Sequence, residues 1–422
     1  MKRSYKALAL LMAGAAVAAC TNDEKNVSIP ATSGDEASVT FQLANAPRST
    51  RATDQGTAAE RTLSNLQVFV FNGDGSRDTK SPFVNIPTIS SSNSYTLPVN
   101  VGNGKRVLVV ANTSLDSIKN SATDGDYANL EKVEKTLAQT VMDKSNSLVV
   151  PTKGFAMSGL SDTWSVSEGR SVNVPISIAR FVSKVLAPQV VTGTTAVDFS
   201  SLPQDSIDAM FGAGSGLTPT DKYTFTLSGY AVINGLQKSD VYDDATMSTY
   251  VQASYFNDAV TPAIDLYDKA TFDAQGNFTS NYSGANGASW FQTNAPVYVY
   301  ENKPVRKLVN GTEQSVASTV YAYIIQGRVH GTNVAGTINS DSSPRYWRAN
   351  FIAGDGTTVP YFSVPRNQIF TMTVGTITTA GYGTPQGAAE GPGPYVPDPK
   401  NANVDFIISV TGWNVLSETT QM

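Results

Sequence analysis

Short stretches in which apolar and polar residues alternate recur along most of the chain, and this pattern predicts half-buried β-strands. The alternating apolar sets are, in chain order, Val39, Phe41 and Leu43; Leu66, Val68 and Val70; Tyr95, Leu97, Val99 and Val101; Val172, Val174, Ile176 and Ile178; Tyr223, Phe225 and Leu227; Val297 and Val299; and Phe370, Met372 and Val374. The apolar run from Val107 to Ala111 predicts one more strand. Because the intervening loops are rich in Gly, Ser, Asn and Thr, we predict an all-β fold of antiparallel sandwiches.

The pattern also predicts one helix and two breaks in the chain. Between about Ala128 and Val141, apolar residues recur at helical spacing, which indicates a helix with one buried face. A predicted strand from Ser171 to Lys184 is followed by a loop from Ala187 to Asp205, which we expect to separate two domains. A Gly- and Pro-rich stretch from Thr378 to Pro399 is expected to detach the final strand from the rest.

The N-terminus has the architecture of a signal peptide. A basic start, Met1 to Lys6, precedes an apolar stretch from Ala7 to Ala16 that is too short to span a membrane. The sequence Val17-Ala18-Ala19-Cys20 then resembles the bacterial lipobox, in which the cysteine is lipid-modified after cleavage. We expect Cys20 to be the acylated first residue, carrying two or three acyl chains that suffice for stable anchoring. The alternative is an unlipidated signal peptide that ends near a cysteine by chance.

Composition limits the remaining possibilities. The chain has 422 residues, of which 41% are hydrophobic and 15% charged, and this is ample for folded cores. Cys20 is the only cysteine, so a disulfide framework is impossible. The net charge of -5 and the absence of Lys/Arg clusters beyond the signal peptide argue against nucleic acid as a partner.

The sequence offers few residues for chemistry. Its one histidine, His330, is the only candidate base for a nucleophile system, and we predict a surface position near a strand end. The stretch from Phe71 to Asp78 has an acidic calcium-loop character but lacks the terminal Glu, so a hairpin turn is favoured. Asp243 and Asp244 indicate a solvated loop. No catalytic residue, metal site or cofactor is predicted, although a remote carboxylate pair and an aromatic carbohydrate platform stay open.

Several ordered motifs resemble those of one family, the fimbrillin-type subunits of type V pili. The motifs are Leu66 to Gly75, Val107 to Asn112, Phe155 to Gly159, Ala179 to Val185, Tyr298 to Asn302 and Pro365 to Phe370. The scarcity of candidate catalytic residues already makes an enzyme the least expected class. The resemblance implies two transthyretin-like β-sandwich domains. It divides the chain into a signal peptide (1–19), a propeptide with the first strand (20–51), an N-terminal domain (52–188), a C-terminal domain (189–380) and a flexible linker with a C-terminal strand (381–422).

The resemblance also implies a route of assembly. Family precursors reach the outer membrane as lipoproteins, and an arginine-specific protease then cuts in the loop after the first strand. Here the Thr50-Arg51-Ala52 sequence is most similar to the family's cut site, so we expect cleavage between Arg51 and Ala52. Arg48 and Arg61 are the alternative cut sites. Arginines in a polar loop are usually just solvated, so without the resemblance none of the three would be singled out.

The loss of the first strand would leave a groove for a strand from another subunit. The C-terminal segment Asn403 to Trp413 is the candidate donor. Its apolar stripe consists of Val404, Phe406, Ile408 and Val410, and Trp413 follows them. The alternative is that this segment is the last strand of its own domain.

Three functions follow from these expectations. The first is a polymerising stalk subunit, lipid-anchored at the outer membrane as a precursor and part of a surface fimbrium that supports adhesion when mature. The second is a tip or accessory adhesin of the same pilus. The third is a lipid-anchored surface protein that binds glycans. The expected partners are other pilin subunits, the protease and, before processing, the membrane.

Overall fold

The computed structural model describes residues 36–45, 56–89, 93–113, 129–133, 141–143, 150–190, 197–240, 267–284, 290–302, 304–352, 362–397 and 406–412. Strands dominate these ranges, which confirms the predicted all-β class. The strands are β1 (Ser38–Asn45), β2 (Leu66–Phe71), β3 (Val84–Ile86), β4 (Ser94–Pro98), β5 (Gly102–Ala111), β6 (Val141–Asp143), β7 (Met157–Leu160), β8 (Trp164–Val166), β9 (Ser171–Arg180), β10 (Val182–Val185), β11 (Gln189–Val190), β12 (Lys222–Ile233), β13 (Gly235–Leu236), β14 (Lys238–Asp240), β15 (Tyr267–Asp268), β16 (Thr271–Phe272), β17 (Phe278–Ser280), β18 (Val297–Tyr300), β19 (Arg306–Val309), β20 (Thr312–Val316), β21 (Ala322–Thr332), β22 (Asn339–Asp341), β23 (Arg345–Asn350), β24 (Gln368–Val374), β25 (Tyr395–Pro397) and β26 (Phe406–Gly412). Helices in the described ranges include α1 (Gln204–Phe211), α2 (Pro385–Glu390), the two 3₁₀-helices Ala59–Arg61 and Ala317–Thr319, and the helical residues 130–133.

The first sheet has the order β3-β2-β5-β7-β9-β1-β4, and β8 pairs with β5. β1 is parallel to β9, and the other pairings along this path are antiparallel. A core of aliphatic and aromatic side chains lies on this sheet, and it also includes Tyr298, Tyr300 and Ile369 from the second half of the chain. The two halves therefore share part of one core.

Two predicted strands are more deeply buried than their sequence pattern indicates. All six residues of β2 and all four residues of β18 are buried. In β2 even Gln67 is inaccessible, and its amide nitrogen donates a hydrogen bond to Asn85 Oδ1 at 3.0 Å. Polar residues in these strands are therefore covered rather than solvated. At the other extreme, Val101 lies beyond β4 and is 56% exposed.

The strand predicted from Ser171 to Lys184 is two strands in the structure. It breaks at Phe181, so that β9 belongs to the first sheet and β10 to the second. The Phe181 side chain is buried, and its backbone nitrogen bonds the carbonyl oxygen of Ala156 at 3.1 Å. One continuous apolar pattern thus serves two sheets, which is why sequence periodicity does not reveal the break.

The second half of the chain is built from several sheets. The largest has the order β11-β24-β10-β18, with β26 beside β24, and the next pairs β21 with β12, β22 and β23. Smaller ladders are β13-β15, β14-β6, β16-β17 and β19-β20-β25. Their shared core is rich in aromatic side chains, including Tyr230, Tyr282, Tyr321, Tyr323 and Phe351.

Two further segments differ from the sequence-based expectation. Of the helix predicted from about Ala128 to Val141, residues 130–133 are helical, whereas Val141 begins β6; residues 134–140 lie outside the described ranges. The stretch predicted as a flexible linker contains α2, where Thr384 Oγ1 accepts a hydrogen bond from the Gly387 nitrogen, and β25.

No helix within the described ranges combines the length and apolar character that crossing a membrane requires.

Candidate assembly site

β1 occupies an internal position of the first sheet. It pairs in parallel with β9, from Ser38 opposite Ser171 to Asn45 opposite Ile178. Its other edge pairs antiparallel with β4. Both edges of the strand are thus hydrogen-bonded, and its removal would expose two ladders at once.

One face of β1 lies in the core. The exposed fractions of Val39, Phe41 and Leu43 are 0%, 0% and 3%. The Phe41 ring stacks on Tyr95 with centroids 5.3 Å apart. On the opposite face the hydroxyls of Thr40 and Thr96 share a hydrogen bond of 2.8 Å. The alternation read from the sequence therefore matches the two faces of the strand.

Cys20, Arg48, Arg51 and Ala52 lie outside the described residues. Arg61 lies within them, at the end of the 3₁₀-helix Ala59–Arg61. Its backbone nitrogen donates to the carbonyl oxygens of Thr57 and Ala58, at 3.2 and 3.1 Å. Arg61 is thus part of a hydrogen-bonded turn.

Glu60, in the same turn, is a buried carboxylate that sequence reasoning missed. Its side chain is 1% exposed and accepts hydrogen bonds from the Tyr298 hydroxyl at 2.5 Å and the Lys184 ammonium at 2.8 Å. Burial raises the pKa of the Glu60 carboxyl, but these hydrogen bonds outweigh burial, and the net pKa lies below its usual value. Glu60 is therefore held as an anion by two strands of the second sheet.

A sequence signal for this turn does exist. The segment Thr57-Ala58-Ala59-Glu60 has the S/T-x-x-E spacing of a capping box. The reciprocal bonds are present, because Thr57 N donates to Glu60 Oε2 at 2.5 Å and Glu60 N donates to Thr57 Oγ1 at 3.3 Å. The spacing could have identified an ordered turn, but not its distant partners.

Arg180 connects this turn to the end of β9. The residue is completely buried, and its Nε and Nη2 donate to the Glu60 carbonyl oxygen at 3.1 and 3.0 Å. Its Nη1 donates to Asn367 Oδ1 at 3.1 Å. Asn367 has a positive φ of 57°, a conformation that asparagine tolerates better than most residues.

The motifs that carry the family resemblance in the second half converge on the same junction. Arg366 forms a two-bond ion pair with Glu301, in which Nε lies 2.8 Å from Oε2. Its guanidinium carbon also lies 4.9 Å from the centre of the Phe181 ring. Runs distant in sequence thus meet where the chain passes from the first sheet to the second.

β26 pairs antiparallel with β24 of the same chain, from Gln368 opposite Gly412 to Val374 opposite Phe406. Within the described ranges, β24 is the only strand that pairs with it. Ile408 and Val410 lie on this strand, whereas Val404 and Trp413 fall outside the described residues. The segment is thus a sheet-edge strand in the structure.

The residues that the sequence analysis considered for chemistry make local contacts within the protein. His330 lies near the end of β21, and its Nδ1 lies 2.7 Å from Asp341 Oδ1. Asp74 Oδ1 accepts bonds from Ser76 N at 2.9 Å and Ser76 Oγ at 2.6 Å, which closes the predicted hairpin turn. Asp243 and Asp244 lie outside the described residues. Across those that are described, no cluster of three or more His, Cys, Asp or Glu could hold a metal ion.

A cleft of about 480 Å³ lies beside β23 and α2, between Phe272, Ala317, Arg348 and Ala389. The Arg348 guanidinium donates to Asn350 Oδ1 at 2.8 Å, to the Ala317 carbonyl oxygen at 2.9 Å and to the Ala389 carbonyl oxygen. Burial lowers the pKa of Arg348 to about 10. Because its donors are engaged by the protein, this guanidinium supports the fold.

Several solved bacterial structures match this chain along most of its length. A candidate cell adhesion protein from Parabacteroides distasonis is 15% identical, with a TM-score of 0.51 over 90% of this chain and 100% of that chain. A fimbrilin (FimA) from Porphyromonas gingivalis is 15% identical, with a TM-score of 0.46 over 91% and 99%. The tip fimbrial protein Mfa3 from the same species is 10% identical, with a TM-score of 0.43 over 90% and 100%.

Sequence comparison adds the family. No curated protein matches the chain significantly in sequence. Residues 37–201, which include β1, the Glu60 turn and Arg180, match the family model of the major fimbrial subunit protein (FimA). This region therefore carries the family signature, and this part of the chain is fimbrillin-like in sequence.

Proposed function

We propose that this chain is a structural subunit of a type V-like pilus that polymerises by donor-strand exchange. In this proposal Cys20 is lipidated and delivers the precursor to the outer membrane. An arginine-specific protease then cuts after Arg51, and β1 leaves together with the lipid anchor. A C-terminal strand from another subunit fills the vacated position.

The position of β1 is the observation that carries this proposal. Its three apolar side chains, Val39, Phe41 and Leu43, are at most 3% exposed, and each contributes about 1.5–3 kcal/mol on burial. A chain that lost this strand would expose apolar core and two unpaired ladder edges, which is an aggregation-prone state. A replacement strand with the same side-chain pattern would relieve both problems.

The C-terminal segment has that pattern. β1 contains valine, phenylalanine and leucine at every second position, and Val404, Phe406 and Ile408 repeat the order with isoleucine in the last place. If the donor runs in the direction of β1, Phe406 would take the place of Phe41. The register of a donor strand is set by such a pattern, because a one-residue slip turns every side chain to the wrong face.

Release of the C-terminal strand from its own chain requires the loss of one ladder. In the described residues β26 pairs with β24 alone, at the edge of a sheet. β1, in contrast, is paired on both edges. A strand with one hydrogen-bonded neighbour is easier to exchange than a strand with two. This difference supports β1 as the strand that needs proteolysis and β26 as the strand that can move.

The Glu60 turn favours a cut upstream of it. A cut after Arg61 would remove Glu60. Arg180 would then lose the Glu60 carbonyl oxygen, and Lys184 would lose the Glu60 carboxylate. Arg61 also lies in a hydrogen-bonded turn, whereas proteases prefer exposed segments without such bonds. A cut after Arg51 retains the turn in the mature subunit.

Polymerisation in cells tests the proposal. Deletion of residues 402–422 should abolish the ladder of polymers on gels run without heating. The matched control is the deletion of a short stretch after residue 413, which should leave the ladder intact. Ladders that persist after the 402–422 deletion would rule out the C-terminal strand as donor.

A further inference from the structure

Lys105 is a buried lysine between an amide and a carboxylate. Its Nζ lies 2.5 Å from Asn72 Oδ1 and 2.7 Å from Asp78 Oδ2. The side chains of Lys105 and Asp78 are both 0% exposed. A lysine amine, an amide carbonyl and a carboxylate are thus in mutual reach inside the first sheet.

The sheet itself creates this arrangement. Phe71 of β2 pairs with Arg106 of β5, and the two strands are antiparallel. Asn72, which follows Phe71, therefore lies beside Lys105, which precedes Arg106. On the other side of β5, Trp164 of β8 is the cross-strand partner of Lys105, and its ring centre lies 5.9 Å from Nζ. Backbone pairing therefore fixes the lysine against its neighbours and under an aromatic ring.

Both partners of Lys105 are oriented by further hydrogen bonds. Asp78 accepts bonds from the backbone nitrogens of Lys80 and Asn100, each at 2.8 Å. The Asn72 amide nitrogen donates to Ser76 Oγ at 3.1 Å and to the Arg77 carbonyl oxygen at 3.2 Å. These bonds turn the Asn72 carbonyl toward Lys105 and its nitrogen toward the turn, where the residue is partly exposed.

Stability alone is a weak reason for this cluster, because hydrophobic replacement of a buried ion pair is often neutral or stabilising. Chemistry gives a stronger reason. A buried amine is a good nucleophile once it is neutral, and the carbonyl carbon of an amide is an electrophile. A carboxylate in contact with the amine can accept a proton from it.

We propose that Lys105 and Asn72 become joined by an intramolecular amide bond, with Asp78 as the proton carrier. Asp78 takes a proton from the Lys105 ammonium, and the neutral Nζ attacks Cγ of Asn72. The new Nζ–Cγ bond forms and the Cγ–Nδ2 bond breaks. The second proton lost by Nζ passes to Nδ2, which leaves as ammonia. The first proton remains on Asp78 or is transferred to the ammonia, which then leaves as ammonium.

The bond would tie the end of β2 covalently to the start of β5. It is independent of donor-strand exchange, because β1 and β26 take no part in it. Failure of this inference would leave the proposed assembly unchanged, and failure of that assembly would leave the cross-link unchanged. Its benefit would be mechanical, since a force that separates these strands would have to break an amide bond.

Peptide mapping of the full chain, purified from its own cells and digested after denaturation, tests the inference. The expected product is a branched peptide that joins Lys105 to Asn72 and weighs one ammonia less than its two parts. Unlinked peptides of full mass would overturn the inference. So would loss of ammonia at Asn72 without a link, which is the succinimide that the Asn72-Gly73 sequence can form, or a link from Lys105 to Asp78 with loss of water.

Variants separate the roles of the three residues. Lys105→Met and Asn72→Ala should each lack the branched peptide, and Asp78→Asn should lack it while retaining both reacting groups. Lys80→Met, which removes a lysine that pairs with Glu36 at 3.3 Å near the surface, should form the link as before. A link that persists in Asp78→Asn would overturn the role of Asp78. Since the unchanged chain is assayed directly, misfolding of a variant does not affect the primary test.

Discussion

The carboxylate of Glu60 accepts a hydrogen bond of 2.5 Å from the hydroxyl of Tyr298, although 238 positions separate the two residues. The bond joins the turn before β2 to a strand of the second sheet. Lys184 and Arg180 bind the same residue at its side chain and its carbonyl oxygen. The turn that follows the expected cleavage segment is therefore part of the junction between the sheets.

Loss of the Tyr298 hydroxyl should weaken this junction. Tyr298→Phe removes a hydrogen bond to a buried charged group, so we expect the free energy of unfolding to fall by about 1.5–3 kcal/mol. Tyr382→Phe is the matched control, because Tyr382 is 42% exposed, and it should change little. Urea denaturation of both variants measures the difference, and equal stabilities would contradict the assigned role of the bond.

The junction should also make the free energy of unfolding decrease at low pH. The pKa of the Glu60 carboxyl lies below its usual 4.5 because hydrogen bonds from Lys184 and Tyr298 outweigh burial. Its contribution is therefore complete above that pH and is lost as the pH falls toward the lower pKa of the folded state. Glu60→Gln should remove part of the acid sensitivity measured by denaturation between neutral and acid pH. An unchanged pH profile would show that Glu60 does not contribute.

The role of β1 predicts an effect that depends on processing. Phe41→Ala should destabilise the precursor by about 3–5 kcal/mol, because it truncates a fully buried aromatic side chain. Thr40→Ala, on the other face of the strand, should cost much less. Neither substitution should alter the stability of assembled subunits, since β1 is absent from them. Thermal denaturation of precursor and fibre provides the comparison, and a destabilised fibre would contradict the loss of β1.

The donor stripe predicts a face-specific effect on assembly. A charge at Phe406 would have to be buried in the groove, so Phe406→Asp should abolish polymer ladders. Ser409→Asp places the same charge on the opposite face of the strand and should leave ladders intact. Gels run without heating compare the two variants. Equal ladders from both would indicate that this stripe does not enter a groove.

The sequence predicted the strands well because their alternation is local. β1, β9, β12 and β24 appear where apolar residues recur at every second position. The break at Phe181 was missed, because both strands that flank it have the same apolar pattern and only their partners differ. The sequence does not predict α2 and β25, because the Gly and Pro residues around them indicate a loop.

The polar junction shows where sequence reasoning fails for the site. The ion pair of Arg366 with Glu301 lies in motifs that the family resemblance singled out, yet neither motif indicates its partner. Glu60 occupies a short polar stretch in which a buried carboxylate has no periodic signal. Lys105 lies beside an apolar run, and its burial depends on Asp78 and Asn72 across a turn. Long-range pairing of polar groups is decided by the fold.

The N-terminus of the subunit in assembled fibres tests the central claim most directly. Mass spectrometry of purified fibres should find a mature chain that begins at Ala52 and lacks β1. Arg51→Ala should block this processing, whereas Arg61→Ala should leave it unchanged. A fibre subunit that still begins at a lipid-modified Cys20 would contradict the account.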